Sequence, residues 1–451
     1  MTQDDLILRE VMRLIEDDNT DILVDYLEEL HPTDIAELFE VLPEHNRECI
    51  FNCLVSEKAV QVLEELEHDL RLYFLNNVPH NYMMRLLKEM SSDEIADFLR
   101  ELPDELAERL LKMLAAEERS EIENLLEYDK STAGGLMTTE YVAFHPDTSI
   151  KKVLDKLPDI APDAETIYYI YVVDNDNRIK GVVSLRDLIL AEPNLPLKEV
   201  MFTDVIKIDA GMDQEEVAKV FEKYGLLGMP VVDHDNTLLG IITVDDVFDV
   251  IEEETTEDIL KLAGADVQLD VEDESAWYRA YRRLPWLLIA LAGQMFSVKV
   301  MSGFSETLEA IIALSFFIPV LLDMGGNVGT QSSTIIVRGI ATDNIDTNTN
   351  IRESIVRESI VGLLLGAVSG IVAALVAYVW QGIPMLGLVV GLSMTLTLTV
   401  AAALGAFVPL ALNEIGKDPA DSSGPLVTTV LDVVGLLIYF GSASLFVGHL
   451  L

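Results

Sequence analysis

Three patterns of apolar and polar positions follow one another along the chain, and each predicts a different kind of structure. From Thr2 to about Lys130 apolar residues recur at helical spacing with only sparse Pro and Gly, which predicts helix throughout. Within that stretch LHPTDIAELFEVLP at Leu30 to Pro43 is echoed by MSSDEIADFLRELP at Met90 to Pro103, with weaker versions such as VSEKAVQVLEEL between them. Short helices repeated in this way stack into a right-handed or solenoid-like array, which would serve a plain protein-interaction surface equally well. From about Gly135 β-rich segments alternate with helices, again in two copies. MTTEYVAFHPDTSIKKVLDKL leading to YYIYVVDNDNRIKGVVSLRDLI is matched by MFTDVIKIDAGMDQEEVAKVF leading to LGMPVVDHDNTLLGIITVDDVF. Each copy predicts a strand, a helix, a hairpin turned by Asp and Asn, and a strand entering a helix through Ser184 or Thr243. From Asp246 to Ala265 one long amphipathic helix is expected, its exposed face holding Asp249, Glu253, Glu254, Glu257 and Asp258.

The third pattern is apolar on all sides. Stretches long enough to cross a bilayer lie at about Leu284 to Val300, Leu308 to Ile336, Ile355 to Trp380, Pro384 to Leu412 and Pro425 to Leu451. The start, MTQDDLILREVM, has neither a basic region nor an apolar run, so no signal peptide is expected and the N-terminus should stay in the cytoplasm. Arg279, Arg282, Arg283, Arg338, Arg352, Arg357 and Lys417 then fall on cytoplasmic connections, with mainly Lys299 outside, and five crossings put the C-terminus outside the cell membrane. Gly362, Gly366 and Gly370, and Gly387 and Gly391, repeat at four-residue spacing and read as helix-packing surfaces.

Charge sharpens this division. Of 77 acidic and 31 basic residues, 66 and 26 lie before Leu284, a net of about −40 in the soluble part. Such a surface repels nucleic acid and anionic headgroups and concentrates cations. Cys49 and Cys53 sit one helical turn apart without a histidine pair to complete a zinc site, and read as buried small residues on a helix face. No Gly-rich phosphate loop or dinucleotide fingerprint occurs, so neither nucleotide hydrolysis nor another enzyme activity is indicated.

Two places carry chemistry inside the apolar region. The second stretch contains Pro319, Asp323 and the run GGNVGTQ from Gly325 to Gln331, helix breakers and amides at membrane depth. These predict either a pore-lining distortion or a packed kink. The fifth stretch, GPLVTTVLDVVGLLIYF, sets Asp432 about two turns inside an apolar helix, with Thr428 and Thr429 on the same face. A lone carboxylate in lipid is expensive, so it is expected to face a water-filled, cation-occupied path.

The paired β-rich copies, over about Leu136 to Ile251, resemble a tandem of CBS domains, modules whose hydroxyl and acid after the last strand often hold an adenine nucleotide. That resemblance implies Ser184 and Asp187 at a ribose, Arg186 at phosphate and ATP as a candidate regulatory ligand; helix capping accounts for the same spacing. With GGNVGTQ and KDPADSSGPLVTTVLD in view, the chain over nearly its whole length resembles the MgtE family of magnesium channels. The resemblance implies an all-α helical-repeat N-domain (1–130), an α+β tandem CBS pair (131–250), an acidic connecting helix (251–280) and a five-helix transmembrane domain (281–451). It further implies a homodimer with its pore on the twofold axis, where Asp432 binds hydrated Mg2+ beside Thr428, Thr429 and Asn327. Closure by Mg2+ on Asp93, Asp97, Asp213, Glu215, Asp246, Asp249, Glu254, Glu257 and Asp258 is likewise implied. One departure from the family's usual pattern is Asp421, where the family more usually has a small uncharged residue. A coupled transporter built from inverted repeats and a membrane-anchored nucleotide sensor are the competing readings. Five stretches do not divide into paired repeats, and an anchor needs neither Asp432 nor a polar second stretch.

Overall fold

A computed structural model describes residues 3–17, 19–66, 68–100, 102–263, 276–342, 351–421 and 424–450. It divides into two compact units, residues 1–251 and 252–451.

The first unit opens with ten short helices between Gln3–Glu16 and Ala116–Leu126 among the described residues. Three of the boundaries are set by prolines, Pro43, Pro79 and Pro103, each at the N-cap of a helix. Leu42, with φ −75° and ψ 139°, is held extended by Pro43 after it, which ends the helix Pro32–Val41 and begins the next. The repeated phrase keeps its register in three dimensions: Ile35, Ala36, Leu38 and Phe39 are buried on one helix, and Ile95, Ala96, Phe98 and Leu99 on its echo, Ser92–Arg100. Helices pack on the next but one, as in a solenoid.

Two three-stranded sheets follow: β1 (Ala143–Phe144), β2 (Tyr169–Val173) and β3 (Ile179–Ser184), then β4 (Ile208–Asp209), β5 (Gly228–Val232) and β6 (Leu238–Thr243). In each, the first pair is parallel and the second antiparallel, with an irregularity at the same place, Val172/Val173 and Val231/Val232. The hairpins turn through Asn177 and Asn236 at φ 57° and 63°, a conformation that asparagine tolerates better than most residues. The hairpin tips also bond reciprocally, Ile179 N to Asn236 O at 3.1 Å and Leu238 N to Asn177 O at 2.9 Å, which relates the copies by a pseudo-twofold. One continuous apolar cluster joins the helical repeats to the second copy through Ile208, Val217, Phe221 and Ile242, while the first copy keeps a core of its own around Ile150, Ile170 and Val183.

The expected long acidic helix is Val244–Leu262. Asp249 and Glu253 are exposed on it, but Glu254, Glu257 and Asp258 are half-buried, not on an open face. Cys49 also departs from expectation. It is exposed and Cys53 half-buried, because the helix Glu44–Phe51 ends before Cys53 and buries Asn46, Ile50 and Phe51 instead.

In the second unit five helices among the described residues are long and apolar enough to cross a membrane: Ala280–Ser302, Ile312–Ala341, Ile351–Gln381, Pro384–Glu414 and Val427–Phe446. The third and fourth pack on each other through the repeated glycines. A Cβ at Gly370 would stand 2.5 Å from the Gly391 carbonyl oxygen, and one at Gly391 2.8 Å from that of Gly370. The expected interruption at GGNVGTQ is absent. The second span is α-helical from Ile318 to Ala341, straight through that run, and its irregular turn lies earlier, at Ile311 to Phe317. Pro319 falls in the first helical turn, where a missing N–H costs nothing. The glycines serve close contact: a Cβ at Gly329 would meet Leu431 Cδ1 at 2.1 Å, and one at Gly405 the Gly329 oxygen at 2.3 Å. Leaving the helix at that depth would strand backbone groups away from water.

Candidate cation path and acidic cavity

The fifth helix, Gly424–Leu450, lies beside both the first and the second spans. Thr429 packs against Gly293 of the first span and Thr428 against Gly326 of the second. Asp432, one turn further on, is only 8% exposed, and Gln294 of the first span donates its amide to the Asp432 carboxylate. Gln294 was not singled out from sequence. Its signal was there, as an amide in an otherwise apolar stretch. Three further hydroxyls, those of Ser297, Ser393 and Thr397, are buried in the same unit without a hydrogen-bond partner.

Asn327 sits elsewhere. Its amide donates to Asp323 at 3.2 Å, and both side chains are exposed on the outside of the bundle. Asp323, Asn327, Gln331 and Thr334 form one exposed polar stripe along the second span. Their spacing of four, four and three residues keeps them on one face of a helix. Hydrocarbon is a poor neighbour for such a stripe, so the surface calls for water or a polar protein partner.

At the other end of this unit Lys261, near the end of the acidic helix, bonds Glu257 and reaches Asp418 Oδ2 at 2.6 Å. Asp418 precedes the short turn Pro419–Asp421 that leads into the fifth helix. Its other oxygen accepts the Ala420 N–H at 2.8 Å.

In the first unit a cavity of about 1300 Å³ is walled by the helices Ser56–Glu65 and Ser92–Arg100, by Glu140 and Glu165, and by the start of the acidic helix. Eleven carboxylates line it, among them Glu64, Asp93, Glu94, Glu165, Asp246 and Asp249, against Arg71 and Lys88. Burial, reinforced by the charges of Glu64 and Asp93, pushes the Glu94 carboxyl up to about 8. Burial and the charges of Asp93 and Asp246 push Glu165 up to about 7. Asp246 is likewise pushed up to about 7 by burial, against a 2.6 Å hydrogen bond from the Thr243 hydroxyl. Burial also raises Asp93, and its Oδ1 is buried without a hydrogen-bond partner. Oxygen-only, crowded and short of protein cations, this donor set suits a hard divalent ion. Among the described residues no three acidic, histidine or cysteine side chains are already gathered tightly enough to hold one.

The remaining candidates are not at this cavity. Asp97 pairs with Arg100 at 2.6 Å, and that guanidinium also binds the carbonyls of Leu125 and Tyr128. Asp213 caps its helix by accepting the Glu215 N–H at 3.0 Å, and Glu215 pairs with Lys219 at 2.9 Å. Glu64, Glu94 and Glu165 were missed, because a long-range fold decides which of many acids meet.

A second cavity, about 700 Å³, lies over the first CBS-like copy, lined by Tyr168, Tyr169, Ser184, Leu185, Arg186, Ile189, Leu190 and Leu227. Ser184 does cap its helix, accepting the Asp187 N–H at 3.1 Å and donating to the Asp187 carboxylate at 2.7 Å. Exposed Tyr168, Ile189, Leu190 and Leu227 leave apolar walls facing the cavity, suited to a flat ring, and Arg186 offers a cation.

Comparison with known proteins agrees with both halves of this description. The divalent cation transporter model of the MgtE family matches residues 318–442, the MgtE intracellular N domain 30–131, and CBS domains 133–194 and 197–253. The magnesium transporter MgtE of Bacillus subtilis is 38% identical over 100% of this chain and 99% of its own length. The chain belongs to the MgtE family. The magnesium transporter MgtE of Thermus thermophilus is 41% identical over 96% of each chain. A crystal structure of the cytosolic domain of the Mg2+ channel MgtE in complex with ATP aligns with a TM-score of 0.52 and 40% identity, covering 54% of this chain and 99% of that one. As a member of this family the chain is a multi-pass membrane transporter of magnesium and not an enzyme.

Proposed function

We propose that the chain is a homodimeric Mg2+ channel of the plasma membrane, closed by Mg2+ on its cytoplasmic side and tuned by ATP. The observation that carries the path is Asp432, a buried acid eight residues into the fifth helix with an amide, Gln294, as its donor. The polar stripe from Asp323 to Thr334 supports a second copy closing the same path, since lipid would not solvate it. Magnesium prefers octahedral oxygen ligands and sheds its water reluctantly, so Asp432, Thr428 and Thr429 would bind the hydrated ion through its waters, and Asn327, on the polar stripe, would meet it at another point of the path. The basic residues gathered on one side of the spans favour cytoplasmic N-terminal domains and an outward C-terminus.

For closure, the acidic cavity supplies the sensor. Mg2+ among Asp93, Asp246 and Asp249 would relieve the crowding that holds protons there. The acidic helix that starts at the cavity wall carries in its last turn Lys261, tied to Asp418 before the fifth helix, so it is a continuous element through which the two can be coupled. ATP would take the cavity over Ser184 and Arg186, with its base against Tyr168 and Leu227, a reading supported by the apolar lining.

Mg2+ flux into vesicles holding the purified chain tests the path. Asp432→Ala is expected to abolish selective flux while leaving the protein folded, and selective flux at the parent rate refutes the assignment. Patch-clamp recording against cytoplasmic Mg2+ tests closure, with Asp93→Asn and Asp246→Asn together expected to weaken inhibition. Calorimetric titration with ATP tests the nucleotide site, where Arg186→Ala should weaken binding at least about tenfold, or about 1.4 kcal/mol.

A further inference from the structure

The third span carries an acid that the path does not use. Glu358 is half-buried on the helix Ile351–Gln381, and its carboxylate accepts the Ser332 hydroxyl of the second span at 2.8 Å. Arg357, its neighbour, is taken by Glu353, and Glu358 forms no ion pair among the described residues. An ionisable group so placed in a span calls for a role.

Its partner indicates which. Ser332 is 3% exposed and follows directly on the run Gly325 to Gln331. At about 100° per residue, Ser332 points roughly 180° away from Asp323 and roughly 140° from Asn327. Glu358 thus grips the second span from behind its polar stripe. The gripped face is smooth, made of Gly325, Gly329, Ser332 and Ser333. Small residues allow close approach but interlock poorly, leaving rotation and sliding weakly opposed. A hydroxyl-to-carboxylate bond in a low dielectric is directional and strong.

We propose that Glu358 is a positioning residue: through Ser332 it fixes the rotation of the second span so that Asp323, Asn327 and Gln331 face the ion path. This rests on the reading of the second span as a wall of that path. Glu358 touches no ion itself.

The test uses the full chain in vesicles with Cys49 and Cys53 replaced by Ser, and Asn327→Cys probed by a water-soluble methanethiosulfonate. In that parent the cysteine should react. Ser332→Ala or Glu358→Ala should slow its modification about tenfold, the factor expected for loss of one charge-assisted hydrogen bond, and should lower Mg2+ flux. Glu358→Gln, whose carbonyl still accepts the hydroxyl, should keep the modification rate within about threefold of the parent, the cost of exchanging a charged acceptor for a neutral one. Should Glu358→Ala fail to fold, Ser332→Ala decides alone. Unchanged modification in the alanine variants overturns the positioning role. An unreactive Asn327→Cys in the parent overturns the reading of the second span, and the inference with it.

Discussion

Asp246→Asn at the acidic cavity should stabilise the protein without Mg2+ and cost it part of its response to Mg2+. Burial, with the charges of Asp93 and Asp245, holds the Asp246 carboxyl near 7. An unfolded aspartate titrates near ~3.9, so as pH rises the unfolded chain loses its proton first. The folded state then binds more protons, and stability falls between about pH 4 and pH 7 and stays reduced above that. Three units at ~1.36 kcal/mol each set a ceiling of about 4 kcal/mol. Coupling to the other carboxylates and relaxation of a wet cavity bring this to about 1–2 kcal/mol. Asparagine keeps an acceptor for the Thr243 hydroxyl, so that bond survives. In Mg2+-free buffer at pH 8 the variant should melt about 2–6 °C above the parent, and at pH 5 the gain should shrink to about a third. Trp277, Trp286 and Trp380 all lie outside the first unit, so calorimetry is the assay, not tryptophan fluorescence. Millimolar Mg2+ should raise the parent's transition more than the variant's. A variant that melts below the parent at pH 8, or gains equally at both pH values, refutes the electrostatic account of the cavity.

Lys261→Met leaves Glu257 and Asp418 facing each other without their shared cation; hydrogen exchange over 252–262 should quicken several-fold, reflecting about 1 kcal/mol for a part-exposed pair, and unchanged exchange would deny the tether. Gln294→Leu strips Asp432 of its amide donor, a change of about 1–3 kcal/mol, and vesicle flux should fall by tenfold or more with the helices still formed by circular dichroism. Gly370→Leu forces a side chain into the Gly391 carbonyl, and the yield of folded protein in detergent should drop sharply, whereas Gly382→Ala, at φ 68° with open space around it, should cost only about 1 kcal/mol in a melt.

The element types were legible because they depend on local periodicity. The repeat phrase fixed which residues of its two helices are buried, and the prolines at 43, 79 and 103 marked where three helices begin. The asparagine turns, the capping hydroxyl of Ser184 and the bond from the Thr243 hydroxyl to Asp246 acted through neighbours a few residues away. Asp432 stood out for a similar reason, since an acid among apolar residues needs no tertiary information to be noticed. The unbroken helix through the glycine run of the second span was not legible, because glycines that look like breakers in isolation become contact surfaces once Gly329 meets Gly405. Nor were the partners legible. Gln294 is 138 residues from Asp432, Lys261 is 157 from Asp418, and Glu94 and Glu165 meet Asp246 only because helical repeats and a CBS-like copy wall one cavity. Periodicity decides which face of an element is apolar, but burial and charge crowding depend on what the chain brings to that face from far away. Sequence alone therefore determined the helices, sheets and spans, and tertiary packing decided which carboxylates are paired, which are crowded and which are left open.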